Sequence, residues 1–594
     1  MDYEIHEHDV IVIGAGGAGL RAAIEASSQG VSVGLICKSL LGKAHTVMAE
    51  GGMAAALSNT DSRDSWEVHF RDTMRGGKMM NNWKMVKLFA QEAPARVNEL
   101  EEWGALFDRT PDGRILQRNF GGHRFPRLAH VGDRTGLEMI RTLQNHGIHQ
   151  GIDVYMECTI VDLLKDGDRI AGAFGYWRES GKYVMFRAKS VVLATGGIGK
   201  CYRITSNSWE GTGDGHALAL RAGASLIDME FVQFHPTGMV WPPSVRGLLV
   251  TEGVRGEGGI LKNNKGERFM FKYIPEMFAA ETADSEEEGK RWLNGDKNAR
   301  RPPELLTRDV VARSIRAEKL AGRGTPHGGA FLDIASQRPA DYIQRKLPSM
   351  YHQFKQLGNL DITKVPMEVG PTCHYVMGGV QVDPETASSS VPGLFAAGEV
   401  AGGLHGGNRL GGNSLTDLLV FGRRAGLGAA QYAKSLATMP KAHPDQVRAV
   451  EHTANLPFED TGKENPYQVF QDLQVCMEEH SGIVRTGKEL EKGLEEIATL
   501  KNRSTRLKVE GNRMYNPGWH SALDLRNLLA VSEAITLSAL HRKESRGGHT
   551  REDFQDSSKE FAKVNTRVWL KNGTLAWEHI PHQDMPPELK KLLD

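Results

Sequence analysis

"DVIVIGAGGAGLRAAIEASSQGVSVGLICKS", Asp9 to Ser39, is the stretch that sets the fold. Asp9–Ile13 is a short apolar, β-branched run, as in a strand buried in a parallel sheet. Gly14, Ala15, Gly16, Gly17, Ala18 and Gly19 follow without a break. Leu20 to about Ser28 reads as a helix ending at Gly30, and Val31–Cys37 as the next strand. Between strand and helix, G-x-G-x-x-G permits a tight turn and close approach of backbone to a pyrophosphate. The helix N-terminus adds N–H donors and a positive dipole end. The expectation is a dinucleotide-binding βαβ unit. An acidic residue usually ends the second strand, where it holds the adenosine ribose. Here Cys37, Lys38 and Ser39 stand instead, which weakens the case for a dissociable NAD and leaves FAD gripped by other groups.

Two later segments extend the pattern. "KSVVLATGG", Lys189–Gly197, is an apolar strand entering a small-residue turn at Ala194, Thr195 and Gly196. "VPGLFAAGEVAG", Val391–Gly402, is a strand ending in Gly-Glu, which places Glu399 near a ribitol or ribose hydroxyl. The fold expected is α/β: a two-dinucleotide-fold, Rossmann-like FAD-binding domain split in sequence (1–236 and 366–430), with an inserted capping domain (237–365), a helical domain (431–550) and a small C-terminal region (551–594). Asp284–Pro303 is a charge-dense run expected to be a solvated loop. Leu490–Asn502 and Ser521–Glu544 carry apolar residues at helical spacing, and Asn-Gly within Thr566–Ile580 signals a hairpin.

The bulk composition bounds the partners. At 594 residues the chain holds about three or four domains. A formal net charge of +0 and the absence of basic tracts argue against nucleic-acid binding, and so against an RNA-associated flavoprotein. The five cysteines are scattered with no C-x-x-C pair, so neither a disulfide framework nor an iron–sulfur cluster is expected on this chain. The amino-terminal "MDYEIHEHDV" has no signal or transit character, which suggests a bacterial source, and no apolar run reaches membrane-spanning length.

Five polar clusters then stand out: "FVQFHPTG" with His235, "VTEGVRGEGG" with Thr251, Glu252 and Arg255, "TRDVVARS" with Arg308, "GPTCHYVMGG" with His374, and "GGNRLGGNSL" with Arg409. Taken singly, each reads equally as an ion pair, a solvated helix end or a core histidine. Together, arginines, histidines and a threonine near a flavin suit a small dianion, because guanidinium matches carboxylate with a bidentate fork.

"SLLGKAHTVMAEGG", "FVQFHPTG", "TEGVRGEGG", "RDVVARS", "PTCHYVMGG" and "HGGNRLGGNSL" resemble the flavoprotein subunit of succinate dehydrogenase and fumarate reductase. The likeness runs from the first strand to "ESRGGHTREDF", Glu544–Phe554. It implies FAD attached covalently through His45, and hydride exchange between flavin N5 and a carbon of a C4 dicarboxylate. Arg308 matches the arginine that transfers the proton, Glu252 and Arg255 the relay behind it, and His235, Thr251, His374 and Arg409 the carboxylate-holding set. Besides Gly14–Gly19, the cofactor set it implies is Lys38, Ser39, Thr46, Gly51, Gly52, Ala194, Thr195, Gly196, Asp214, Glu399, Asn413, Ser414 and Leu415. The partners it implies are an iron–sulfur subunit, with membrane anchor subunits held through it, and the chain is expected to be peripheral on the cytoplasmic face of the cell membrane. L-aspartate oxidase-like and soluble fumarate reductase-like enzymes share the fold, but those relatives lack the histidine at position 45. Glu50 is expected as a carboxylate that lowers the flavin potential and favours fumarate reduction or a low-potential quinone.

Overall fold

A computed structural model of the protein describes residues 3–296, 298–459 and 462–593. Strand β1 (Tyr3–Ile13), helix α1 (Gly17–Ser28) and strand β2 (Val33–Ile36) form the expected unit. β1 begins well before its apolar half, because Tyr3–His8 pairs in register with Tyr183–Ala188. Gly30, at φ +74°, turns the chain out of α1 toward β2.

Seven strands make the main sheet, with β1 paired in parallel to β2 on one side and to Tyr183–Leu193 on the other. The first half of Tyr183–Leu193 pairs with Arg169–Trp177, and its last residues pair in parallel with Leu394–Ala396. Three pieces far apart in sequence thus share one sheet, the α/β architecture of a split dinucleotide-binding domain. The helix Asn413–Ser435 crosses α1 at glycines: a Cβ on Gly426 would lie 2.2 Å from the Ala22 carbonyl oxygen, and one on Gly422 2.7 Å from that of Ala18.

The apolar interior is divided. One core joins residues from Val10 to Val232 with residues from Cys373 to Leu589. A second core is made by Met239 to Val369 alone. Two antiparallel strands, Val232–Trp241 and Met367–Val376, run from one core into the other, with His235 opposite Thr372 where they cross. Their flanks carry Ile260–Lys262 and Ala330–Asp333 into the second core.

Helices Pro466–His480, Gly487–Ser504 and Pro517–His541 pack together after the main sheet. The final hairpin, Val564–Lys571 with Thr574–Pro581, turns at Asn572 (φ +52°) and Gly573 (φ +80°), as Asn-Gly predicts. It is built onto the main body, since Val568 pairs with Leu226. The charged run departs from expectation. Glu286–Leu293 is a helix, because Ser285 caps it by accepting the Glu288 N–H, acids fill its first turn and Lys290 and Arg291 its last. Arg300 pairs with Asp284 and Glu288, and Lys297 of this run lies outside the described residues. Among the described residues, no helix is long and apolar enough to cross a membrane.

Gly426→Val drives a branched side chain into the Ala22 carbonyl and separates α1 from its partner helix. The expected cost is about 1–3 kcal/mol of stability, read as a lowered midpoint in urea unfolding followed by far-ultraviolet circular dichroism.

Candidate active site

A large cavity lies where the Gly14–Ala18 turn, the strand-end turns at Ala194–Gly197 and Ala397–Glu399, and the second core meet. At the glycine turn, Gly14 stands at φ +110°, and a Cβ there would come 2.2 Å from the Ala194 carbonyl oxygen. The N-termini of α1, of Asp214–Ala222 and of Asn413–Ser435 open on the cavity at Gly16, Asp214 and Gly412. Bare backbone with convergent positive helix ends fits the anionic middle of a dinucleotide, so these residues suit FAD. Lys38, Ser39, Thr46, Gly51, Gly52, Thr195, Gly196, Glu399, Ser414 and Leu415 also line the cavity. The missing strand-end acid is explained by Lys38, whose Nζ donates to Thr212, Asp214 (2.9 Å) and Asp524 (2.6 Å). Asp214 is therefore committed to Lys38 as well as facing the cavity.

Two expected cofactor residues do not line it. Gly19 packs helix on strand, since a Cβ there would lie 1.8 Å from the Gly14 carbonyl oxygen. The Asn413 amide is turned away, bonded through Oδ1 to His69 (3.0 Å) and donating through Nδ2 to Thr73 (3.1 Å).

His45 opens a short 3₁₀ turn, His45–Met48, pinned to the glycine turn by Gly17 N–H donating to Thr46 Oγ1. The Ser208 N–H donates to His45 Nδ1 at 3.3 Å, which leaves Nε2 for the cavity side. Burial and the nearby Lys200 ammonium lower the His45 pKa to about 4, so the ring is neutral at ordinary pH. Glu50 corrects the sequence expectation. Burial, with Asp133 nearby and only Arg118 opposing, raises its pKa well above the usual carboxylate range. That shift favours the neutral carboxyl over the carboxylate expected from the sequence.

The far part of the cavity is cationic. Arg308, first residue of the helix Arg308–Leu320, is only 8% exposed. Its Nε donates to Glu252 Oε2 at 3.1 Å and its Nη1 to Gln233 Oε1 at 3.2 Å. Gln233 also donates through Nε2 to Asn408 Oδ1 and the Arg409 carbonyl. The other oxygen of Glu252 accepts the Gly121 N–H at 2.7 Å. Arg255 lies behind, 3.8 Å from Glu252 and bonded to the Glu304 carbonyl, and does not line the cavity. His235 and His374 rings sit 5.1 Å apart. Burial first, then Arg308, holds both far below the usual histidine pKa, so both are neutral. His235 Nδ1 accepts the Thr237 N–H, which puts the ring proton on Nε2, a buried atom with no protein partner. Arg409 donates to Ser414 Oγ at 2.7 Å and lies over the Tyr375 ring. Burial and Arg308 lower its pKa to about 9, and it remains a cation at neutral pH. Thr251 faces the cavity from the N-cap of Glu252–Gly256.

Sequence reading passed over Gln233 although it lies within "FVQFHPTG". It also gave no sign of Phe120, Gly121 or Gln353, which reach the site only through tertiary contacts.

Because burial raises the Glu50 pKa, Glu50→Gln is expected to leave the flavin midpoint potential near wild type wherever Glu50 is still protonated. As pH rises, wild-type Glu50 ionises, added electrons are disfavoured and its midpoint falls below the variant's. Spectroelectrochemical titration of both proteins across pH checks the divergence, and an upshift already present at neutrality would show an ionised Glu50.

Residues 9–415 match the FAD binding domain family, and residues 470–591 the fumarate reductase flavoprotein C-terminal family. The chain is 44% identical over 564 residues to a fumarate reductase (CoM/CoB) subunit of Methanothermobacter marburgensis, covering 95% of this chain and 97% of that protein. It is 36% identical over 598 residues to the succinate dehydrogenase flavoprotein subunit of Coxiella burnetii, covering 97% and 96%. The solved structure of Mycobacterium smegmatis Sdh1 in complex with UQ1 superposes with a TM-score of 0.86 at 55% identity, over 98% of this chain and 96% of that one. With an FAD-binding domain over most of its length and relatives of both names matching nearly end to end, the chain belongs to the family of flavoprotein subunits of succinate dehydrogenase and fumarate reductase.

Proposed function

We propose that the chain interconverts succinate and fumarate as the flavoprotein subunit of a larger complex. The observation that carries this reading is Arg308, a nearly buried guanidinium fixed by Glu252 and Gln233 at a cavity wall shared with His235, His374 and Arg409. FAD, when bound, supplies the two-electron acceptor and donor for a substrate carbon–hydrogen bond. Arg409, the Nε2 proton of His235 and the His374 ring hold the two carboxylates of a C4 dicarboxylate, and Thr251 adds a hydroxyl. Arg308 gives or takes the proton at the other carbon through its guanidinium, and Glu252 and then Arg255 exchange it away from the site. The segment 237–365 closes the cavity and excludes water while the proton moves.

His45 is the attachment point for covalent FAD: the Ser208 N–H occupies Nδ1, so Nε2 is the atom that bonds, losing its ring proton as it does so. An iron–sulfur subunit takes the electrons from this chain, a reading supported by relatives named as flavoprotein subunits. Anchor subunits hold the assembly on the membrane and hand electrons to quinone.

The reading is tested with the purified FAD-loaded protein, assayed for fumarate-dependent oxidation of a reduced viologen dye and for succinate-dependent dye reduction. Turnover in neither direction removes it. Arg308→Gln lowers kcat by about 10²–10⁴-fold, the range for loss of a general acid–base group. Acid precipitation of wild type leaves the yellow chromophore on the chain, and His45→Ala releases it.

A further inference from the structure

The helix Pro348–Gly358 of the second core begins without a cap of its own. The residue at its N-cap is Leu347, which has no side-chain acceptor, and Pro348 has no N–H. The next two N–H groups are satisfied from outside the second core. Ser349 and Met350 N–H donate to Asp133 Oδ2 at 2.8 Å and 3.1 Å. Asp133 belongs to the main body: its loop is tied by Gly132 N–H to Asp108 and by Val131 N–H to Thr135, and Val131 packs on the first core. Met350 and Phe354 are buried in the second core.

Asp133 is 1% exposed, and its other oxygen, Oδ1, has no partner. Its side chain hydrogen-bonds, among the described residues, only to those two N–H groups. A carboxylate so placed is costly to bury unless it is paired, and here the pairing exists only while the two cores are apposed. Separation would exchange the two N–H groups for water on both sides, so the contact can be made and broken without stranding a charge. One turn further along the same helix, Gln353 lines the cavity.

We propose that Asp133 is a positioning residue that latches the second core closed, by completing the N-terminus of the helix that presents Gln353 to the cavity. The proposal rests on closure of segment 237–365 over the site, as in the reading above. Asp133→Ala and Asp133→Ser cannot reach either amide, whereas Asp133→Asn keeps an acceptor oxygen.

In the FAD-loaded protein, hydrogen–deuterium exchange at Ser349–Gln353 is expected to speed up about tenfold in the Ala and Ser variants and to return most of the way in Asn, with β1 amides unchanged. kcat/KM for fumarate should fall about tenfold in Ala and Ser, mainly through KM. Wild-type exchange at Ser349 and Met350 in either folded variant overturns the proposal. So does loss of β1 protection in both, which would make Asp133 a folding element of the main body. The exchange readout needs no substrate, so its failure is separate from failure of the succinate–fumarate reading.

Discussion

The arrangement depends on one ladder of hydrogen bonds. Val232–Trp241 and Met367–Val376 are the pair of strands that belong to both apolar cores, and their pairing fixes where one core stands relative to the other. Gln233 and His235 lie on one strand and His374 on the other, at the crossing. Pairing shifts along the ladder, including one between His235 and Gly238, bend the strands there. The residues at the cationic end of the cavity are thus held at the joint itself, with Arg308 coming from one core and Arg409 from the other. Besides the strand pairing and the Gln233–Arg308 bond that leaves it, the named contacts across the boundary are polar: Gly121 to Glu252 and Asp133 to Ser349 and Met350. Polar contacts of this kind can be remade with water.

The far end of the cavity carries an excess of cationic groups. Two guanidinium groups stand nearly buried around neutral histidines, and Glu252 pairs with Arg308. Arg409 Nε and His235 Nε2 are buried without protein partners. Such atoms are costly unless a ligand supplies the missing bonds. In the reading proposed for this site, a bound dicarboxylate supplies those bonds. Glu252 is fixed by two partners at once, Gly121 N–H on one oxygen and Arg308 on the other, so the chain itself sets its orientation.

The fold was legible in the sequence where local rules act alone. Val10–Ile13 followed by Gly14–Gly19 reads as a strand and a tight turn into a helix, because the glycines permit the close backbone approach that the turn makes. Asn572-Gly573 must be a tight hairpin turn, because both residues accept positive φ. The charged run failed the same test: its density suggested a loop, but Ser285 and the ordering of acids before bases make a capped helix. Glu50 was legible as a site residue but not in its ionisation, since that depends on burial and on Asp133, which is far away in sequence.

What the sequence determined by itself was the chemistry available: a dinucleotide turn, a histidine beside it, and the set of arginines, histidines and glutamate. Which of these face the ligand was decided by tertiary structure. Gly19 and Asn413 sit within cofactor motifs yet serve packing, and Arg255 stands behind Glu252 instead of in the cavity. Lys38 replaces an expected acid because Asp214 and Asp524, brought in from distant helices, neutralise it. The division into two cores, and the Asp133 contact between them, has no local signature at all. Leu347, Pro348 and Ser349 read as an uncapped helix start, and only the folded chain shows that Asp133 completes it from the other side, because a helix N-terminus can be satisfied by any acceptor the fold delivers.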